Sequence, residues 1–148
     1  MGVYEATREV IVAAPAQACF DALTGYEHLP EWQSNVRGCT VLTRDDEGRG
    51  RDVEYEIDAK VRTVHYRLRH DYDEPWRIGS TYLEGDFKHF EGHYDFAEAG
   101  EGCRVTLRVA IDPGLRLPRP LVRVVNEAVL GRALTELREH VEEVYAWQ

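Results

Sequence analysis

The chain has 148 residues, the usual length of one domain, and its 43% hydrophobic content predicts a single folded domain over residues 1–148. A net charge of −9 argues against a nucleic-acid ligand and against anionic membrane surfaces, because both would repel the protein. There is no apolar run of about 18 residues and the start MGVYEATREV lacks a signal-peptide pattern, so we expect a cytoplasmic protein without stable membrane insertion.

The first elements are a strand and two short helices. The segment REVIVAAP alternates apolar and polar residues and then breaks, which predicts a strand that leads into a helix with Pro15 in its first turn. That helix, AQACFDALTGY, has an apolar side and a plausible stop at Gly25. The following segment, EHLPEWQSNV, predicts a one-turn helix and a loop.

Residues 36–112 have the pattern of an antiparallel strand meander. The predicted strands are 36–45, 51–60, 62–72, 75–83, 87–98 and 103–112, separated by short segments such as DDEGRG and AGEG that are typical of turns. Short connections predict antiparallel neighbours. Strict alternation within these strands predicts one apolar and one solvated face of the sheet.

A long helix follows DPGLRLPRP and is predicted to end near Tyr145. Its apolar residues recur at helical spacing, and about 25 helical residues span about 38 Å, enough to cross the whole sheet. The predicted order is therefore strand, two short helices, six strands and one long helix.

This order, together with the segments VIVAAPAQACFDAL, LPEW, GDFKHFEGHYDF and GCRVTLRVAID, resembles the START-like helix-grip superfamily. Within it the sequence is most similar to the polyketide cyclase/dehydrase group, which includes coenzyme Q-binding proteins. The resemblance implies an α+β helix-grip fold: a curved seven-stranded antiparallel sheet around the C-terminal helix, with two short helices between strands 1 and 2. It also implies a hydrophobic cavity between sheet and helix, in which members carry or modify lipids, quinones, sterols or aromatic polyketides.

Polar residues on the predicted apolar face are the first candidates for function, since a buried polar group needs a partner. In VRTVHYRLRHDY the alternation directs Tyr66, Leu68 and His70 inward. His70 could donate a hydrogen bond or transfer a proton at the cavity, or it could be a half-exposed histidine bonded to backbone near the strand end. Asn126 lies on the helical face of Leu130, so its amide points to the cavity unless the first turns of the helix overhang the sheet.

Aromatic residues predict the remaining wall of the cavity. Phe90, Gly92 and Tyr94 are two residues apart along a strand, so they are predicted to lie on the inward face, whereas His93 points to solvent. The further predicted ligand contacts are Trp32, Tyr55, Ser80 and Tyr82, for each of which ordinary core packing is the alternative.

A metal site is not expected. His89 and His93 are four residues apart on a strand, which separates them by about 13 Å, too far to share a metal ion. Cys19, Cys39 and Cys103 have neither the spacing of a zinc site nor that of a disulfide framework. We therefore expect no metal and no cofactor.

Two functions remain open at this stage. The first is binding or transport of a hydrophobic small molecule: a lipid, an isoprenoid quinone or a polyketide-like aromatic. The second is a polyketide aromatase/cyclase that uses His70, Tyr66 or Asn126 as an orienting or proton-transferring group. Here the sequence departs from similar cyclases, because Val36 stands where they tend to have tyrosine and both Arg67 and Arg69 have outward parity.

The expected partner is a hydrophobic small molecule, and the expected state is a monomer or homodimer. Some similar small bacterial proteins have been assigned roles as ribosome-associated toxins. The acidic balance of this chain argues against such an RNA-rich target.

Overall fold

The computed structural model describes residues 4–60, 62–112, 114 and 119–146, with the side chains of 119–122 and 124–126 excepted. The strands are β1 Tyr4–Val12, β2 Val36–Arg44, β3 Gly50–Asp58, β4 Thr63–Asp73, β5 Arg77–Gly85, β6 His89–Ala99 and β7 Gly102–Asp112. The helices are α1 Ala16–Thr24, α2 Leu29–Trp32 and α3 Arg119–Ala146, with a 3₁₀ turn at Tyr26–His28. Every strand of the predicted meander is present, with ends within two residues of those expected.

The seven strands form one curved antiparallel sheet in the order β1-β7-β6-β5-β4-β3-β2. Consecutive strands from β2 to β7 are neighbours because short turns join them, and β1 closes the far edge by pairing with β7. Two short helices separate the first two strands, and α3 follows the last. The α+β helix-grip fold expected from the sequence is therefore confirmed.

Alternating side chains give the sheet a buried and a solvated face. In β4, Val64, Leu68 and His70 are buried, whereas His65 and Arg69 are exposed. A β-bulge interrupts the pairing of β4 with β5 between Arg67 and Leu68. The inward parity predicted for β4 is confirmed, and the bulge changes the register only toward the end of β5.

The connection between β1 and β2 crosses over the buried face. Pro15 lies at the N-cap position before α1, one residue earlier than expected, where its φ of −65° suits the entry to a helix. Gly25 ends α1 as predicted, and its N–H donates to the carbonyl of Asp21. The 3₁₀ turn and α2 then bury Tyr26 and Leu29 against the sheet.

Helix α3 packs on β1 and α1 through its later turns, where Leu134, Leu137 and Val141 are buried. Two hydrogen bonds also join it to the first half of the chain: Ala13 N–H donates to Glu142, and Ser34 N–H donates to Glu136, each at 2.9 Å. Within the part of the chain that the structure describes, no helix combines the length and hydropathy of a bilayer-crossing segment.

Candidate functional site

A cavity of about 190 Å³ lies between the buried face of the sheet and α3. Its wall comes from the α1–β2 connection, from strands β3 to β7, and from Val129, Leu130 and Ala133 of α3. Most lining side chains are aliphatic or aromatic, and no Asp, Glu, Lys or Arg among the described residues contributes to the wall. Such a lining is typical of a site for an apolar small molecule.

Eight of the residues predicted from the sequence line this cavity. They are Tyr55, Tyr66, Leu68, His70, Ser80, Phe90, Tyr94 and Leu130. Inward parity brings seven of them together from four adjacent strands, and Leu130 contributes from the helix on the opposite side.

Two other predicted contacts, Trp32 and Tyr82, are not among the described residues of the wall, and a third, Asn126, cannot be compared with it. Trp32 stacks on His140 of α3, with ring centroids 4.5 Å apart and planes 2° from parallel, and so joins α2 to α3. The Tyr82 hydroxyl donates to the carbonyl of Phe87 at 2.7 Å, which directs this side chain to the β5–β6 turn. The side chain of Asn126 lies outside the described residues.

His70 is the polar centre of the cavity wall and is only 8% exposed. Its Nδ1 lies 3.0 Å from the carbonyl oxygen of Gly79, which can only accept, so Nδ1 carries the proton. Its Nε2 lies 2.6 Å from the hydroxyl oxygen of Tyr55. Because Nε2 of the neutral ring carries no proton, it accepts a hydrogen bond from this hydroxyl. Burial lowers the pKa of His70 to about 4, so the imidazole is neutral at neutral pH.

The expectation for His70 left two environments open, and the structure combines parts of both. The ring is bonded to backbone, but it is buried rather than half-exposed. Gly79 pairs with Asp71 of β4, and a Cβ on Gly79 would lie 2.5 Å from a carboxylate oxygen of Asp71, so a larger residue there would require the exposed Asp71 side chain to move.

Tyr26 covers His70 and was not among the predicted site residues. Its ring stacks on the imidazole, with centroids 4.9 Å apart and planes 14° from parallel. The hydroxyl of Tyr72 donates to the carbonyl of Gly50 at 2.5 Å, so Tyr26 must be the donor in its 2.8 Å bond to Tyr72. This chain of two hydrogen bonds fixes the 3₁₀ turn against β3 and β4.

Tyr66 and Tyr94 differ from Tyr26, Tyr55 and Tyr72 because their hydroxyls form no hydrogen bond with a described residue. Both residues line the cavity. Burial raises the pKa of Tyr66 and raises that of Tyr94 to about 12, so both phenols stay protonated. Each can donate a hydrogen bond to a molecule in the cavity.

Two amide side chains complete the polar part of the wall, and sequence reasoning missed both. Gln33 is 7% exposed, and its buried Nε2 has no hydrogen-bond partner among the described residues. Asn35 donates to the carbonyl of Val129 at 3.4 Å. They lie in the segment between α2 and β2, which has no periodicity from which an inward direction could be predicted.

The outer face of β6 has the character expected from the sequence. His89 Nε2 lies 3.4 Å from a carboxylate oxygen of Glu91, His93 Nε2 lies 3.2 Å from one of Asp95, and the side chain of His89 is 57% exposed. His93 also borders the cavity, but its imidazole is directed to Asp95 on the outer face, 3.2 Å away. Within the described ranges no three His, Cys, Asp or Glu side chains are grouped as metal ligands would be.

A sequence model of one protein family, described as polyketide cyclase / dehydrase and lipid transport, matches residues 4–142. The chain belongs to this family. The resemblance drawn from the sequence is thus confirmed at the level of the family. No curated protein matches the sequence significantly.

Solved structures from the helix-grip superfamily share the architecture of this family member. A START superfamily protein from Mycobacterium smegmatis matches with 21% identity and a TM-score of 0.86, over 95% of this chain and 98% of that chain. A protein from Thermus thermophilus matches with 23% identity and a TM-score of 0.86, over 95% and 99%. An aromatase/cyclase from a Streptomyces species matches with 17% identity and a TM-score of 0.82, over 95% and 94%. At these identities the likeness establishes the fold.

Within the family fold, the cavity of this protein can enclose an apolar molecule and bind it through a few neutral hydrogen-bonding groups. Hydrophobic ligand binding and cyclase-type roles are both consistent with the family.

Proposed function

We propose that this protein binds and carries a hydrophobic small molecule in the cavity between its sheet and α3. The observation that supports this most directly is a cavity with a largely apolar wall and no Asp, Glu, Lys or Arg among its described residues. The ligand classes suggested by the family are a lipid, an isoprenoid quinone such as coenzyme Q, and a polyketide-like aromatic.

The proposed contacts are the eight predicted residues that line the cavity, together with Tyr26 and Gln33. We retain the expectation of a cytoplasmic monomer or homodimer, with one domain over residues 1–148 and no nucleic-acid ligand. The net charge of −9 supports the last point, since it opposes binding to a polyanion.

The alternative, a polyketide aromatase/cyclase, requires a group in the cavity that exchanges a proton near neutral pH. His70, with a pKa of about 4 and both ring nitrogens occupied by Gly79 and Tyr55, is poorly suited to that role. Tyr66 has a raised pKa and is a weak acid. Arg67 and Arg69 pair on the outer face with Glu54 and Asp52, each at 2.8 Å or less. These features favour binding over catalysis.

The test is native mass spectrometry of gently purified protein, with organic extraction and identification of any released compound. We expect a stoichiometric apolar ligand, or its uptake when lipids, quinones and aromatics are added. Ala133→Phe should abolish uptake, because Ala133 lines the cavity. Ala128→Phe, the same change on the exposed face of α3, should leave uptake unchanged. A protein that binds none of these compounds would contradict the proposal.

A further inference from the structure

We infer that the ligand of this cavity is a neutral compound of one or two rings that carries a hydroxyl or carbonyl group, and that the cavity rejects carboxylates. This inference rests on the proposed binding function and narrows its ligand. It follows from three independent properties of the wall: volume, charge and the direction of its hydrogen bonds.

The volume limits the size of the ligand. A cavity of about 150 Å³ in another protein holds one benzene molecule, and the cavity here is somewhat larger, about 190 Å³. A ring with a short substituent, or two small fused rings, therefore fits without rearrangement. A long acyl chain or an extended polyketide is larger than this volume and would not be contained in it.

The charge of the wall selects a neutral ligand. An ionised carboxylate taken out of water is strongly destabilised unless a cation pairs with it, and the described part of the wall contains no Lys or Arg. His70 is neutral, because burial lowers its pKa to about 4, and the lone pair of its Nε2 already accepts from Tyr55. The guanidinium groups of Arg67 and Arg69 lie on the opposite face in ion pairs.

The hydrogen bonds leave specific donors for a ligand oxygen. The hydroxyl of Tyr55 donates its hydrogen bond to His70. The hydroxyl of Tyr26 donates to Tyr72, and that of Tyr72 donates to the carbonyl of Gly50. The hydroxyls of Tyr66 and Tyr94 have no such partner among the described residues. Ser80 Oγ lies 3.2 Å from the protonated Nδ1 of His70, to which it cannot donate, so its own proton is also free for a ligand.

Gln33 supplies a second indication that an oxygen atom is bound. Its side chain is more than nine-tenths buried in the cavity wall, and its amide nitrogen has no partner among the described residues. A buried donor without a partner destabilises the protein, and an acceptor atom of a ligand would satisfy it. A phenol, naphthol, quinone or cyclic ketone supplies oxygen without charge.

Three probes of matched shape test the inference by isothermal titration calorimetry at pH 7: para-propylphenol, propylbenzene and para-propylbenzoate. The phenol should bind about threefold to tenfold more tightly than propylbenzene, because one net hydrogen bond is worth about 0.5–1.5 kcal/mol. It should bind on the order of 100-fold more tightly than the benzoate, which is ionised at this pH. Equal affinity for benzoate and phenol would overturn the inference.

A double variant, Tyr66→Phe with Tyr94→Phe, should bring the affinities for the phenol and for propylbenzene close together. Tyr145→Phe, at an exposed position of α3, is the matched control and should keep the phenol preference. A phenol preference that survives in the double variant would overturn the assignment of these hydroxyls.

Palmitate and phosphatidylcholine separate failure of this inference from failure of the proposed function. If either lipid binds and the ring compounds do not, the inference is wrong and the carrier function stands. If neither the ring compounds nor the lipids bind, both are wrong.

Discussion

Two halves of this molecule share one sheet but differ in the side chains that cover it. The packed half comprises β1, α1, residues 102–105 of β7 and residues 134–141 of α3, and its centre is aliphatic or small apart from Phe20 and the adjacent Phe96 of β6. The cavity half comprises the 3₁₀ turn and strands β3 to β5, and its wall is built from Tyr26, Tyr55, Tyr66 and His70. The difference lies in the side chains, since both halves have regular antiparallel pairing.

Compact side chains interlock without leaving space, whereas large rings hold one another apart. In the cavity half, Tyr66 stacks against both Tyr55 and Phe90, with centroids 5.2 Å and 5.6 Å apart. Rings supported in this way can border an empty volume without collapsing into it. We therefore expect truncation of a side chain to destabilise the packed half more than the cavity half.

The largest effect is expected from truncation in the packed half. Leu137→Ala should lower the free energy of unfolding by about 2–5 kcal/mol, because Leu137 is fully buried and its neighbours cannot fill the space. Leu130→Ala, the same change seven residues earlier at the cavity wall, should cost about 1–2 kcal/mol less, since that side chain already borders empty space. Urea denaturation of both variants measures the difference. Equal losses would contradict the division into halves.

Strand alternation made the fold and much of the site predictable from the sequence. Parity directed Tyr66, Leu68 and His70 inward because a strand has only two faces, and the structure has them there. Trp32 and Tyr82 could not be placed by this rule. The position of Trp32 depends on how α2 meets α3, and Tyr82 lies beside the bulge that interrupts the β4–β5 register.

The second prediction concerns pH and the cavity half. The pKa of His70 is about 4 in the folded protein, whereas an unfolded histidine titrates near 6.5. Between these values the unfolded chain binds the extra proton, so stability is complete above about pH 6.5 and decreases as the pH falls toward 4. A shift of this size corresponds to about 3 kcal/mol of unfolding free energy.

Two variants isolate this effect from the titration of carboxylates. The difference in unfolding free energy between pH 7.5 and pH 4.5 should be smaller by about 2–3 kcal/mol in His70→Gln than in the wild type. His65→Gln, on the exposed face of the same strand, should retain the wild-type pH dependence. If the His70 variant and the wild type have the same pH dependence, the imidazole is not buried in its neutral form.

The hydrogen-bonding role of each tyrosine could not be predicted, because parity gives a direction and no partner. Tyr26 lies in a three-residue 3₁₀ turn without periodicity, and its donation to Tyr72 depends on residues 46 positions apart in sequence. The inward direction of Gln33 could not be predicted either, because it lies in the segment between α2 and β2, which has no periodicity. The sequence therefore predicted the aromatic wall but not which hydroxyls remain for a ligand.

The third prediction tests a tyrosine that holds the cavity half together. Tyr72→Phe removes the donor to the Gly50 carbonyl and the acceptor for Tyr26, so it should lower the unfolding free energy by about 1–3 kcal/mol. Tyr26→Phe should cost less, because Tyr72 keeps its bond to Gly50. Urea denaturation at pH 7.5 measures both, and a greater loss in the Tyr26 variant would contradict the direction assigned to these bonds.

The smallest effect on folding is expected at Tyr94. Tyr94→Phe should change the unfolding free energy by no more than about 0.5 kcal/mol, because its hydroxyl bonds to no described residue and its ring remains stacked near Phe96. The contrast with Tyr72→Phe is informative because both variants lose only one oxygen atom from a partly buried tyrosine. If the Tyr94 variant loses as much stability as the Tyr72 variant, its hydroxyl has a structural partner and is not available to a ligand. A neutral result would show that the fold depends on the Tyr72 oxygen and not on the Tyr94 oxygen, which leaves the latter available to a ligand.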